Sequence, residues 1–245
     1  MNYLENTRHP WSCLLFVTPL VLAYEGGHLV GSVTSAVRNG AELWLRIGLS
    51  NLGFTTEYAA PALVIGILIV WSVLRRDDHP SDLIGVSIGM AVESIVFALG
   101  LYVLSRAMLP LFDGLGVFLQ AAPTAPSSTS GLDPSLEQAV RYLGAGIYEE
   151  TLFRLGLFSI FCWIFVLADF SLFFALNLAA LFSALVFAGA HHLGDFAEPF
   201  HAAIFLFRVL AGFYFAWIYR IRGFGIAIGA HAGYDVLVGL LMPAL

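Results

Sequence analysis

The sequence has no lysine; all eleven of its basic residues are arginine. Charge of either sign is scarce, at 11% of 245 residues, where a soluble domain carries about 25%. That excludes a nucleic-acid binder, which needs a basic surface, and a disordered chain, which needs a polar composition. Cysteine is scarce too. Cys13 and Cys162 are the two present, too few for a disulfide scaffold. What is abundant is apolar: 59% of the residues are hydrophobic, and the mean hydropathy is +0.85. Such a chain is read against a lipid bilayer before any aqueous fold.

A spanning helix takes about 20 mostly apolar residues, because about 30 Å of hydrocarbon is crossed at about 1.5 Å per residue. Seven runs qualify: Trp11 to Val30, Tyr58 to Leu74, Leu83 to Leu104, Ala139 to Ala168, Phe170 to Ala190, Ala202 to Ile218 and Gly223 to Leu241. They are continuously apolar, whereas a membrane β-barrel needs segments of alternating polarity. The first run is too long for the core of a cleaved leader and contains Glu25. The expected fold is therefore all-α, a polytopic transmembrane bundle of about seven (six to eight) helices.

Three runs and an interfacial segment make up an N-terminal membrane part at 1–112. A Pro/Ser-rich loop follows at 113–135, and a core of four runs occupies 136–245. The stretch from Val37 to Arg46 is amphipathic at helical spacing and is expected to lie in the membrane interface. With seven spans, Arg8, Arg75, Arg76, Arg220 and Arg222 fall on one side, the cytoplasmic one by the positive-inside rule. Arg38, Arg46 and Arg141 oppose that assignment.

The informative residues are the charges left inside apolar runs, each costing about 2.5–3.5 kcal/mol at mid-membrane. The fourth run holds Glu149, Glu150 and Arg154. Glu150 and Arg154 stand at i,i+4 with the acid first, the favourable order for a pair. Glu149 then needs a wet cavity, a proton, or a partner such as Arg208 in the sixth run, in which case it is only a tether. His191 ends the fifth run on the same face as Phe187, and His231 and Asp235 share a face of the seventh. A carboxylate and imidazoles on separate helices can activate water and stabilise an oxyanion. They are equally zinc-type ligands, with Glu149, His191, His231 and Asp235 as the set. A proton or ion pathway uses the same residue types.

Glu149-Glu-Thr-Leu-Phe-Arg154 matches EExxxR, Phe187-Ala-Gly-Ala-His191 matches FxxxH, and His231-Ala-Gly-Tyr-Asp235 matches HxxxB with B as Asn or Asp. This ordered set, over about Arg141 to Leu240, resembles the CPBP (Abi) family of intramembrane proteases, which includes the CAAX prenyl endopeptidases and bacteriocin-processing enzymes. The stretch Arg208-Val-Leu-Ala-Gly212 is similar to the family's segment between its second and last motifs. Arg8-His-Pro-Trp-Ser12, Pro19 to Glu25 and Arg38 to Glu42 are similar to the N-terminal region of a bacterial subgroup; some relatives, the myxosortases, act on C-terminal sorting tails.

The resemblance implies an intramembrane endopeptidase in a bacterial inner membrane, acting on a membrane-anchored protein or peptide. In it Glu149 polarises water with His191, His231 and Asp235 stabilise the oxyanion, and Glu150 and Arg154 support the first motif. It leaves open whether zinc is the cofactor or the chemistry is glutamate-dependent and metal-free. An ionised Asp235 would repel an oxyanion, so it must be protonated or orient His231, or else serve a metal. No serine or cysteine is paired with a base at a recognisable spacing, so water attacks directly. The rival functions are an ion- or proton-coupled transporter and a non-catalytic immunity or scaffold protein.

The remaining polar residues have plainer expectations. Glu25, His28 and Glu93 are expected to pair with arginines between helices. His192 is a helix-end residue, His201, Asp195 and Glu198 form a solvated rim, and His9 and His79 are interfacial.

Overall fold

The computed structural model describes residues 2–30, 38–76, 80, 82–114, 134–194 and 197–242. Among them there is no β-strand. A short amphipathic start, α1 (Tyr3–Thr7), is opened by a capping box in which Asn2 and Glu5 exchange side-chain to backbone hydrogen bonds. Then come α2 (Pro10–Val30), α3 (Gly40–Asn51), α4 (Ala59–Leu74) and α5 (Leu83–Gly114). After α6 (Pro134–Gly144) the chain passes without a break through a π-helical segment, Ala145–Phe158, into α7 (Ser159–Leu167). α8 (Leu172–Ala190), α9 (Ala202–Arg222) and α10 (Phe224–Val236) complete the bundle, with a last π turn at Leu237–Leu241.

Each of the seven apolar runs is a helix, and six are long and apolar enough to cross a membrane. The seventh, α4, has 16 residues, about 24 Å at helical rise. The protein is an integral membrane protein. α5 shows the reason in one element. Its outer stripe, Ile84, Ile88, Val92, Ile95, Leu99 and Val103, is exposed and apolar, while Val86, Met90, Ala98 and Leu101 are buried. A helix apolar on both faces cannot be half-solvated by water; its exposed side is satisfied by lipid.

α10 is the axis of the bundle. Nearly every residue from Phe224 to Ala232 is buried, because α5, α9, α2 and the π-helical segment all pack around it. Two close approaches depend on residues without side chains. A Cβ at Gly146 would lie 2.9 Å from both the Ala232 amide nitrogen and the Ile228 carbonyl oxygen, so the π segment presses its backbone directly on α10. The α9–α10 turn is made by Gly223 at φ 102°, a left-handed conformation that side chains resist. The loop expected at 113–135 lies, from 115 to 133, outside the described residues.

Candidate active site

The π segment brings both glutamates into the bundle. Every residue from Ala145 to Thr151 is buried, and so is Arg154. A π-helix bonds i to i+5 and is wider than an α-helix, a feature common at functional sites. Glu150 is fully enclosed. One of its oxygens, Oε1, lies 3.1 Å from Arg154 Nη1 and 2.7 Å from His231 Nδ1. Arg154, 1% exposed, also donates to the Gly212 carbonyl at 3.3 Å. Its guanidinium sits 4.5 Å over the Phe187 ring and 5.5 Å from that of Phe215. Aromatic faces and a carboxylate thus replace the water that this cation has lost.

Glu149, its neighbour, points elsewhere. Its Oε1 accepts the Asn39 amide at 2.8 Å, and its Oε2 stands 3.6 Å from His231 Nε2. Asp235 Oδ2 approaches the same nitrogen at 3.7 Å. The His231 ring is fixed on its flat side by Phe215, stacked at 4.5 Å and 13°. A carboxylate only accepts, so His231 donates Nδ1–H to Glu150. The carboxylates of Glu149 and Asp235 both face its other nitrogen, Nε2. Of the three side chains, Asp235 is the most exposed, at 23% against 11% for Glu149 and 6% for His231. The cluster therefore opens on the Asp235 side.

His191 follows the last turn of α8, and its Nδ1 donates to the Phe187 carbonyl at 2.9 Å. That bond leaves Nε2 as the lone-pair nitrogen of the neutral ring. The ring packs edge-on against Phe187 at 5.0 Å, and His191 and Glu149 interact electrostatically. Phe187 touches His191, His231 and Phe153 at once, so the aromatic of the second motif is the wedge between the motifs.

The structure therefore brings Glu149, Glu150, Arg154, Phe187, His191, His231 and Asp235 together. Counting along the apolar runs spreads Glu149, His191 and His231 over about 15 Å of depth. The structure removes that spread. The helix carrying Glu149 starts at Pro134 rather than near Ala139, which places Glu149 near the middle of a 33-residue span.

Arg208 does not meet Glu149. It pairs with Glu198 at 2.7 Å, and Glu198 in turn donates its N–H to the His191 carbonyl. The tether reading of Glu149 thus loses its partner, and Arg208 instead braces the connection that follows His191. Zinc is the other reading of Glu149, His191, His231 and Asp235. Among the described residues no three His, Cys, Asp or Glu side chains come together as a metal-holding group.

Other expectations are met or corrected by their contacts. Glu93 does pair with an arginine, bidentate to Arg222 at 2.6 and 2.7 Å. Glu25 does not; it accepts the Tyr148 hydroxyl at 3.1 Å. His28 lies edge-on against Tyr24. His192 sits in the turn after α8 with Nδ1 donating to the Glu198 carbonyl. His9, expected at the membrane interface, has its side chain buried just after α1, which packs against α2 and α5. His79 and Asp195 lie outside the described residues. Cys13 and Cys162 are both free thiols.

Asn39 is the site residue that the three motifs did not reveal. It caps α3, accepting from Ala41 N–H, while its amide holds Glu149. α3 is thus not an interfacial helix alone. Buried Glu42 anchors it, taking Arg38 and Arg46 at 2.5 Å each and the Tyr24 hydroxyl of α2. The signal was in the sequence: a glutamate flanked at i−4 and i+4 by arginines, just after an Asn-Gly helix start.

Residues 133–237 match the family model described as Type II CAAX prenyl endopeptidase Rce1-like. No curated protein and no solved structure matches the chain. The matched segment runs from α6 to the end of α10 and contains all three motifs. That segment is similar to the Rce1-like domain of the CPBP family, a family of intramembrane endopeptidases.

Proposed function

We propose that this Rce1-like domain hydrolyses a peptide bond near the C-terminus of a membrane-anchored protein or peptide, in a bacterial inner membrane, with Glu149 activating the water. The observation that carries the reading is the 3.6 Å approach of Glu149 Oε2 to His231 Nε2, with Glu150 bound to the other nitrogen of the same ring. Glu149 takes a proton from water held between it and His191 Nε2, and the water oxygen attacks the scissile carbonyl carbon. The carbonyl π electrons move to oxygen, and the Nε2–H of His231 faces that oxyanion. The tetrahedral intermediate collapses, the C–N bond breaks, and the proton held by Glu149 passes to the leaving amine. Asp235, at the open side of the cluster, lies where the peptide enters. Glu150 and Arg154 hold His231 and never meet the substrate.

Glu149→Ala and His191→Ala are each expected to abolish cleavage of a membrane-anchored reporter while the protein stays folded in the membrane. Cleavage retained by both variants overturns the assignment.

A further inference from the structure

The open side of the cluster continues away from His231 along two helices. From Asp235, α10 runs on into the last π turn, Leu237–Leu241, and α6 packs against that turn on its way into the segment carrying Glu149. Tyr142 of α6 fills the contact between them. Its hydroxyl lies over Gly239, where a Cβ would collide with it. Gly239 stands one turn beyond Asp235 on the same face. Tyr142 and Asp235 also interact electrostatically. The hydroxyl is therefore placed about 6 Å beyond Asp235 at helical rise. Tyr142, Asp235 and Gly239 are each half-buried, so this face is partly accessible.

The hydroxyl is held ready for one role. The Gln138 side-chain amide donates to Tyr142 Oη at 2.7 Å, which uses the oxygen as an acceptor and leaves its O–H to donate. Among the described residues Gln138 is its one hydrogen-bond partner. A peptide drawn out for attack gives up its own helical hydrogen bonds, and each carbonyl left without a donor is costly away from water. An extended chain advances about 3.3 Å per residue, so a donor about 6 Å along the entry face meets it about two residues from the bond being cut. We propose that Tyr142 binds the substrate: its O–H, oriented by Gln138, donates to a backbone carbonyl of the peptide about two residues from the scissile bond. The proposal rests on the hydrolytic reading of the Glu149 cluster.

The test uses the full-length protein in neutral detergent and a fluorescent, membrane-anchored reporter peptide. Affinity is read by anisotropy in the Glu149→Gln background, where turnover is expected to stop. Adding Tyr142→Phe, which keeps the ring over Gly239 and removes the O–H alone, is expected to weaken binding roughly fivefold, the size of one neutral hydrogen bond. With Glu149 intact, the same substitution is expected to lower kcat/KM roughly fivefold, through KM, without a matching fall in Tm. Two further reporters carry an alkene in place of the amide two residues from the cleaved bond, one on each side. One of them is expected to bind equally with and without Tyr142→Phe, because it lacks the carbonyl that the hydroxyl meets. If Tyr142→Phe does not fold, Gln138→Leu, which releases the hydroxyl, is expected to weaken binding of the amide reporter roughly twofold and of that alkene reporter not at all. Equal affinity of the amide reporter with and without Tyr142→Phe, or an undiminished Tyr142 effect on both alkene reporters, overturns the proposal. Retained cleavage by Glu149→Gln overturns the hydrolytic reading instead, and is read from product rather than from affinity.

Discussion

The side-chain amide of Asn39 donates to Glu149 at 2.8 Å, across 110 positions of sequence. It holds one carboxylate oxygen and leaves the other facing His231. Asn39→Ser keeps an N-cap for α3 but cannot reach Glu149. A lost hydrogen bond to a charged group is worth about 1.5–3 kcal/mol, so kcat is expected to fall by roughly 10- to 100-fold. Tm should fall by a few degrees for the same reason. A serine variant with wild-type kcat would show that Asn39 does not position Glu149.

Glu149 and Glu150 are adjacent but are expected to behave oppositely. Removing the partner of a buried ion leaves an uncompensated charge, at about 3–5 kcal/mol. Glu150→Ala, which strands Arg154 and frees His231, should therefore lower Tm sharply as well as activity. Glu149→Gln should remove activity with little change in Tm. Thermal unfolding in detergent, read beside cleavage of a reporter peptide, separates the two.

Gly146 faces the backbone of α10 rather than a movable side chain. Gly146→Ala forces the π segment away from Ile228 and Ala232, and overpacking of this kind costs about 1–3 kcal/mol. Because Glu149 and His231 sit on the two backbones being separated, the rate should fall by more than the Tm shift alone explains. A variant with unchanged Tm would mean that the two segments do not touch there.

Glu42→Gln tests the anchor of α3. Arg38 and Arg46 remain partly exposed, at 19% and 16% of their side chains, so solvent softens the loss to about 1–3 kcal/mol. Cleavage should fall along with stability, because Asn39 moves with α3. Glu93→Gln, which disturbs the Arg222 pair far from the cluster, should lower Tm without a comparable loss of rate.

The number and type of the helices were legible in the sequence. Apolar length alone fixes a spanning helix, since backbone groups in lipid must be bonded within the segment. The chemistry-bearing residues were legible for a related reason: in a chain with 11% charge, an acid inside an apolar run stands out. Glu149, Glu150, Arg154, His191, His231 and Asp235 were all visible in that way, and six of the seven runs are helices long and apolar enough to span.

Depth and partnership were not legible. Where Glu149 sits along its helix depended on the start at Pro134 and on a π-helical stretch, and neither leaves a periodic signature. Among the alternatives open to Glu149, the charged partner was Arg208; the hydrogen-bond partner it has is Asn39, a neutral amide at a helix cap. Glu25 was matched with arginine and meets Tyr148. The sequence by itself determined which residues are too costly to leave in lipid without a purpose. The tertiary structure decided which of them meet, because burial sets how much each needs a partner while the approach of backbones, at Gly146 against α10 and at Gly223 against Arg8, sets which partner can be reached.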